Sequence, residues 1–509
     1  MADTKERPKG EALFSELSND KPKDRMIQCA SYTMPYLYLD GNDTGNSALP
    51  RERVQSFGAK LANNIIGKFS MAVLPPANYF YKLEAKEEAV QAIIASTKDG
   101  VNPQENENAV KRQVDLAVAK LEDDIFKEVN RMNIRASFYK AMRNAVVLGE
   151  GLIEIISETE SKVHSVKNYV HKSDSVGNII QIVIKESISP LALPDGIEAT
   201  TEQLEAGKDI DLYTIFEKRE DGKYYLYQDI GGEIVGEEKS YAEVTDRFIY
   251  VPFNRVDGEE YARGLVEEYL GDFVSLNKNI QLIDEVGVLS ARTIFMVNPN
   301  GVTNYDDYAD ADNGDVIYGQ EQDISTSKTN KNSDMQITVN RNDQLRRDLA
   351  EAFLMGSASV RNADRVTKAE IEMIAKELEA SFGGIYTNIA KLVQLPIVKT
   401  AINNLKVEIG KDISINILSG LDALGRSAEN QKMREMLGDV ALVAQATGDT
   451  NLASDYLDVS NILNTIAENS GVANKNLIRS QEEVDKIVGQ RNQQKLSQDT
   501  YSAMLNQKG

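Results

Sequence analysis

A helix, a short polar break and a second, longer helix fill residues 343–405, and this stretch constrains the chain more than any other. The run from Asp343 to Gly356 reads as helix and gives way to the polar segment Ser357-Ala-Ser-Val-Arg-Asn-Ala-Asp-Arg-Val366. The next helix starts at once, because Thr367-Lys-Ala-Glu370 is a capping box: the Thr hydroxyl accepts from the N3 amide and the Glu carboxylate from the Thr amide. Ile371, Ile374, Leu378, Phe382, Ile385, Ile389 and Leu392 follow at steps of three and four, one face of a helix. Gly383 and Gly384 fall inside this pattern. Two glycines cost about 2 kcal/mol relative to alanines in a helix interior, so the helix is expected to bend there or to admit another backbone. Pro396 is expected to end or kink the run.

Composition narrows the classes of function. The 509 residues leave room for several domains. A formal net charge of -22 argues against gripping nucleic acid by broad phosphate neutralisation. It does not exclude a repelling wall along which DNA slides. A single cysteine, Cys29, rules out an intrachain disulfide and a thiolate zinc site, which fits a reducing compartment. No apolar stretch reaches the roughly 18 residues of a membrane span, and Met1–Lys23 lacks the apolar segment of a signal peptide. The expectation is a soluble intracellular protein.

Along the chain, Val54–Leu74 reads as an amphipathic helix with Leu61, Ile65, Phe69 and Val73 on one face, stopped by Pro75-Pro76. Two helical runs over 109–148 break near Asn133. From residue 152 to about 255 the pattern becomes β-rich. The candidate strands are Leu152–Ile156, Val166–His171, Ile179–Ile184, Tyr213–Glu217, Tyr224–Asp229 and Phe248–Phe253, with turn signals at Gly177-Asn178, Asp221-Gly222 and Gly231-Gly232. Gly264–Ser290 returns to a helix about 40 Å long. Its apolar face carries Phe273, Leu276 and Ile280, which are expected to pack on other helices. Residues 302–336 form a polar, acidic excursion, and after Pro396 come a helix to Leu405, a strand over Ile413–Leu418 and a helical C-terminal third. The fold class is α+β, predominantly helical.

No motif carries catalysis. Gly149-x-Gly151 precedes a strand instead of opening a helix, so it reads as a turn. The Gly-Lys pairs, Gly67-Lys68 among them, lack the Ser or Thr that a phosphate-binding loop needs for magnesium. His164 and His171 lie in the β-rich stretch without metal-ligand spacing, so solvated or strand-face positions are expected. Asp306, Asp307, Asp310, Asp312 and Asp315 suggest a calcium loop, but with Gly314 as the turn glycine the first and third ligand positions are Ala309 and Ala311. A solvated contact surface is the expectation. No nucleophile elbow or Ser/His/Asp set is present. The chain is read as a non-enzyme with no cofactor.

Several segments, taken in order, resemble one family. They are Cys29–Pro35, the set Gly58, Ala59, Leu61, Asn63 and Asn64, then Tyr261–Asp272, Arg365-Val-Thr-x-x-Glu370, Glu377-Leu-Glu379, Gly383-Gly384, Gln394-Leu-Pro396 and Gly420–Arg426. Together they resemble the portal proteins, or head-to-tail connectors, of T7-like short-tailed bacteriophages, over about residues 14–430. The resemblance implies a portal fold of wing, stem, clip and crown, assembled as a dodecameric homo-oligomer around a central DNA channel. It would sit at one capsid vertex of the virion, after assembly in the host cytoplasm. Laid on this chain, 1–255 would be the wing, 256–294 the stem helix, 295–337 the clip and 338–356 the second stem helix. Residues 357–366 would be the tunnel loop, with Ser357, Ser359, Arg361, Asn362 and Arg365 toward the DNA. Residues 367–425 would hold the bent helix with its kink at Gly383 and Gly384, and 426–509 the crown and tail.

The implied partners are double-stranded DNA, the terminase packaging motor, capsid and scaffolding proteins and a tail adaptor, docking in part on the clip surface of Asp306, Asp307, Asp310 and Asp312. The alternatives are a non-channel head-tail adaptor or scaffold, and, against the missing phosphate-loop chemistry, a packaging ATPase subunit.

Overall fold

The structure, a computed structural model, describes residues 9–38, 54–76, 78–96, 103–193, 207–291, 294–327, 332–356, 368–407, 412–418 and 420–448, together with 457, 462 and 487. The segment 357–367, with all five tunnel-loop candidates and Thr367 of the capping box, lies outside these residues.

Helix α3 (Phe57–Val73) is the axis of the core: Leu61, Ile65, Ile66, Phe69 and Val73 are all fully buried. Helix α6 (Ile134–Leu148), which follows α2 (Lys23–Tyr32), α4 (Glu87–Ser96) and α5 (Pro103–Arg131) in the chain, packs on it, and so do the later helices α11 (Lys368–Phe382) and α12 (Gly384–Asn404). The aromatic joint is Phe69, whose ring centroid lies 5.8 Å from Phe253, 5.5 Å from Phe382 and 6.1 Å from Tyr386. The chain is drawn together across its length by one strand pair, β1 (Tyr81–Ala85) antiparallel to β12 (Ile413–Ile417).

Two sheets form the β-rich part. A three-stranded antiparallel sheet places β2 (Glu150–Ile155) between β3 (Ser161–His164) and β9 (Phe248–Pro252), against α6. A five-stranded meander joins β4 (Tyr169–Ser173), β5 (Ile179–Ile188), β6 (Ile210–Lys218), β7 (Tyr224–Ile230) and β8 (Glu233–Tyr241) in chain order. Its alternation is visible in β5, where Ile182 and Ile184 face the main core while Val183 faces a small second cluster with Tyr213, Ile215 and Tyr227. Helix α1 (Gly10–Ser18) covers that second face with Leu13, Phe14 and Leu17.

Several expectations are corrected. Val166–Asn168 is a single 3₁₀ turn, so β4 begins at Tyr169. Strand β8 is nearly all exposed, and an edge strand with no buried face has no period-two pattern to find. Pro396 does not end a helix: α12 runs through it to Asn404, with Thr400 Oγ1 donating to the Pro396 carbonyl at 2.9 Å. Gly149-x-Gly151 serves close packing. Gly149 caps α6 at φ 108°, and a Cβ on Gly151 would stand 2.4 Å from the Ala141 carbonyl oxygen.

Candidate functional site

Two long helices leave the core side by side. Helix α7 (Leu265–Glu268) breaks at Tyr269 and continues as α8 (Leu270–Ala291), so the single helix expected from 264 starts with a step. Its partner α10 (Asn332–Ala352) begins well before the expected Asp343 and stops before Gly356. At 1.5 Å per residue each is about 32 Å long. They are antiparallel, because Phe353, just past the end of α10, meets Tyr269 and Phe273 at the start of α8, with ring centroids 5.6 and 5.7 Å apart. The early turns of α10 lack an apolar period because they stand clear of the core: Ile337 is exposed, whereas Leu345 and Leu349 are buried.

Phe273 and Leu276 are fully buried at the base of this pair, in one cluster with Leu345, Leu349 and Phe353 of the same chain. Ile280, half-buried, packs at the margin of that cluster. Within the subunit these side chains are therefore core, whatever a neighbouring copy adds. Farther out Leu282, Val288 and Leu289 are exposed.

The excursion between the two helices is a small unit with its own anchor. Strand β10 (Ile294–Val297) pairs antiparallel with β11 (Ile324–Ser327), and helix α9 (Tyr305–Ala309) lies between them in sequence. Asp323 holds the unit together. Its carboxylate accepts from the Val302 amide at 2.9 Å, the Thr303 amide at 3.1 Å and the Thr303 hydroxyl at 2.9 Å. The Thr303 hydroxyl and these amides hold that carboxyl below the usual carboxylate range. Asp306, Asp307, Asp310 and Asp312 are all exposed. So are Val316 and Tyr318, at 91% and 94%. Asp323 falls outside the acidic cluster that the sequence draws attention to; only the returning strand brings it to Val302. Among the described residues no three His, Cys, Asp or Glu side chains are placed to hold a metal ion, and no helix is long and apolar enough to cross a membrane.

The glycine pair is a break between helices instead of a smooth bend. Gly383 takes φ 49° and ψ −123°, and α12 starts at Gly384. Among the described residues no other backbone comes close: the nearest atom to a Cβ on Gly383 is the Glu379 carbonyl oxygen at 3.9 Å, and none lies within 4 Å of a Cβ on Gly384. The conformational demand falls on Gly383 alone.

Neither histidine is solvated. His164 Nε2 lies 2.8 Å from Glu154, which also receives Arg247 at 2.6 Å. His171 sits between two carboxylates, Nδ1 at 3.1 Å from Glu260 and Nε2 at 3.1 Å from Glu150. Only an imidazolium can donate from both nitrogens at once. Burial pushes the His171 pKa down, but the Glu150 charge, and hydrogen bonds to Glu150 and Glu260, carry it up to about 9. Burial likewise raises the Glu150 carboxyl, yet His171, Lys21 and Tyr250 outweigh it and hold it below the ordinary value. Lys21 donates to the carbonyls of Val166 and Tyr169, and its burial lowers its pKa to about 8. The cluster is a buried polar joint between the N-terminal segment and both sheets.

The profile of the family described as "Bacteriophage head to tail connecting protein" matches residues 11–478. The chain belongs to that family. The match extends past the region of resemblance seen in the sequence, into the C-terminal third. The portal protein of Enterobacteria phage T3 is 29% identical over 489 residues, 91% of this chain and 89% of the relative. The portal protein of Escherichia phage T7 is 28% identical, covering 97% and 92%, and that of Pseudomonas phage phiKMV is 26% identical, covering 85% and 86%. Among solved structures, the neck of an empty GTA particle aligns with a TM-score of 0.40 at 10% identity, over 88% of this chain and 94% of that one.

In this connector the family-like segment Tyr261–Asp272 links the β-rich part to the helix pair. Tyr261 packs 4.7 Å from the His171 ring, and Arg263 bridges Glu259 and Glu267. The segment is thus tied to the sheets at one end and to α8 at the other.

Proposed function

We propose that this chain is a portal subunit: copies assemble as a ring around a channel at one vertex of a phage head, and DNA enters and leaves through it. The observation that carries this reading is the end-to-end match to portal proteins of T3 and T7, which leaves little of either chain unaligned. The antiparallel pair α8 and α10, projecting from the core with a separate acidic unit at its tip, supports the division into parts. The wing is residues 1–255 and the stem is α8 with α10. The clip is the segment 295–337 between them, of which 332–337 lie in α10. The crown is the C-terminal helical part. A ring of twelve copies, with the packaging motor and later a tail adaptor docking on the exposed clip, completes the proposal.

Negative-stain microscopy of the purified protein is the test: rings with an open central hole support the portal reading, and compact particles without a hole refute it in favour of a head-tail adaptor or scaffold. ATP hydrolysis well above background would move the reading to a packaging ATPase. Arg361 is proposed to present its guanidinium to passing phosphates, each contact about 1 kcal/mol or less and salt-screened. Arg361→Glu should then leave rings intact while packaging or retention of DNA falls in a salt-dependent way. Normal retention in normal rings would remove Arg361 from the site.

A further inference from the structure

The Lys68 side chain is fully buried in a strongly acidic chain. It lies one turn after Asn64 on α3, so both side chains leave the same face. That face meets the end of α10. Helix α10 stops in a Schellman motif: the Leu354 amide donates to the Glu351 carbonyl at 3.0 Å and the Met355 amide to the Ala350 carbonyl at 2.7 Å. The left-handed position of this motif is usually glycine, but here it is Leu354, at φ 53°. A leucine is held there against its own preference.

What holds it comes from α3. Asn64 Nδ2 donates to the Phe353 carbonyl at 3.0 Å and the Leu354 carbonyl at 3.2 Å. Lys68 Nζ donates to the Leu354 carbonyl at 2.9 Å and to Glu377 of α11 at 2.7 Å. A cation at a helix C-terminus is favoured by the unpaired carbonyls and the helix dipole together. The same ammonium group therefore grips the last residues of α10 and the middle of α11, two helices that lie on either side of residues 357–367 in the sequence.

We propose that Asn64, Lys68 and Glu377 form a clasp that fixes the end of α10 and α11 to one another through α3, with Lys68 as a positioning residue. Its functional consequence rests on the portal reading: α10 is a channel-forming helix, so the clasp sets the spacing of channel elements against the wing.

Hydrogen exchange by mass spectrometry on the full-length protein tests the clasp itself. Lys68→Met nearly keeps the side-chain length and removes the bonds to Leu354 and Glu377. It should speed amide exchange over 350–356 and 370–378 by about tenfold or more, with β5–β7 unchanged. Glu377→Gln, which keeps the Leu354 bond, should speed 370–378 and leave 350–356 nearly as protected as wild type. Adding Leu354→Gly to Lys68→Met relieves the left-handed strain and should restore protection at 350–356 but not at 370–378. Unchanged exchange at both sites in Lys68→Met, or a uniform rise across the sheets, overturns the clasp. If Lys68→Met fails to fold, Asn64→Ala and Glu377→Gln carry the same comparison. Assembled heads test the consequence: Lys68→Met rings that form normally should retain packaged DNA less well. Normal retention with altered exchange overturns the positioning role. Absence of an open ring in wild type overturns the portal reading and leaves the exchange result standing.

Discussion

Protonation of His171 makes a quantitative prediction about stability. The imidazolium is fully buried between Glu150 and Glu260, and its pKa stands at about 9 against an ordinary 6.5. A group whose folded pKa is raised contributes stability that is complete below the unfolded pKa and is lost as pH rises through the folded one. Each pH unit over which folded and unfolded states differ by one proton is worth about 1.4 kcal/mol. Lys21 has the opposite sign: its pKa is about 8 against 10.5, so from pH 8 upward the unfolded state holds the extra proton and stability rises. Between pH 6.5 and 8 His171 outweighs Lys21, and the two together should lower stability by about 1 kcal/mol. From pH 8 to 9 the two slopes cancel and the curve should flatten. The carboxyls of Glu150 and Glu260 are held below their ordinary value, so their contribution is present throughout this window. Burial raises Tyr169, Tyr250 and Tyr261, so they do not titrate in it either.

Urea unfolding between pH 6 and 9 at constant ionic strength, followed by near-ultraviolet circular dichroism, reads this directly, since the chain has 21 tyrosines and no tryptophan. His171→Gln should be less stable by about 3–5 kcal/mol at pH 6.5, the cost of leaving a buried carboxylate without its counter-charge, and should lack the fall. A wild-type curve that rises from pH 6.5 to 8, or a variant that keeps the wild-type slope, would refute the imidazolium assignment.

Gly383→Ala should cost about 1–3 kcal/mol because its φ of 49° is paired with ψ −123°, away from the left-handed helical region that other residues can enter, whereas Gly384→Ala should stay within about 0.5 kcal/mol; thermal melts of the two variants check the contrast. Phe273→Asp should destabilise the subunit itself by several kcal/mol, so soluble folded monomer from this variant, seen by gel filtration and circular dichroism, would count against its place in the core. Asp323→Ala should unfold the tip unit alone, read as faster hydrogen exchange over 294–327 with the body unchanged. Deleting 304–312 should leave rings intact on microscopy while abolishing motor or tail docking in a pull-down.

The sequence by itself determined the helices whose apolar faces repeat within a few turns, α3, α8 and α12, and the strands of the meander that alternate between two covered faces. It also identified the family, because many short matches keep their order over the chain. Local periodicity is a property of neighbouring residues and needs no partner to be seen. Tertiary structure alone decided the rest. Strand β1 exists because β12 pairs with it from the far end of the chain. The first half of α10 is helical without an apolar face because its partner is α8 and not the core. The histidines became buried cations or carboxylate partners through residues up to 89 positions away, and Lys68 found Glu377 from 309 away. A buried charge is stabilised only by groups that converge in space, and no spacing along the chain records which groups those are.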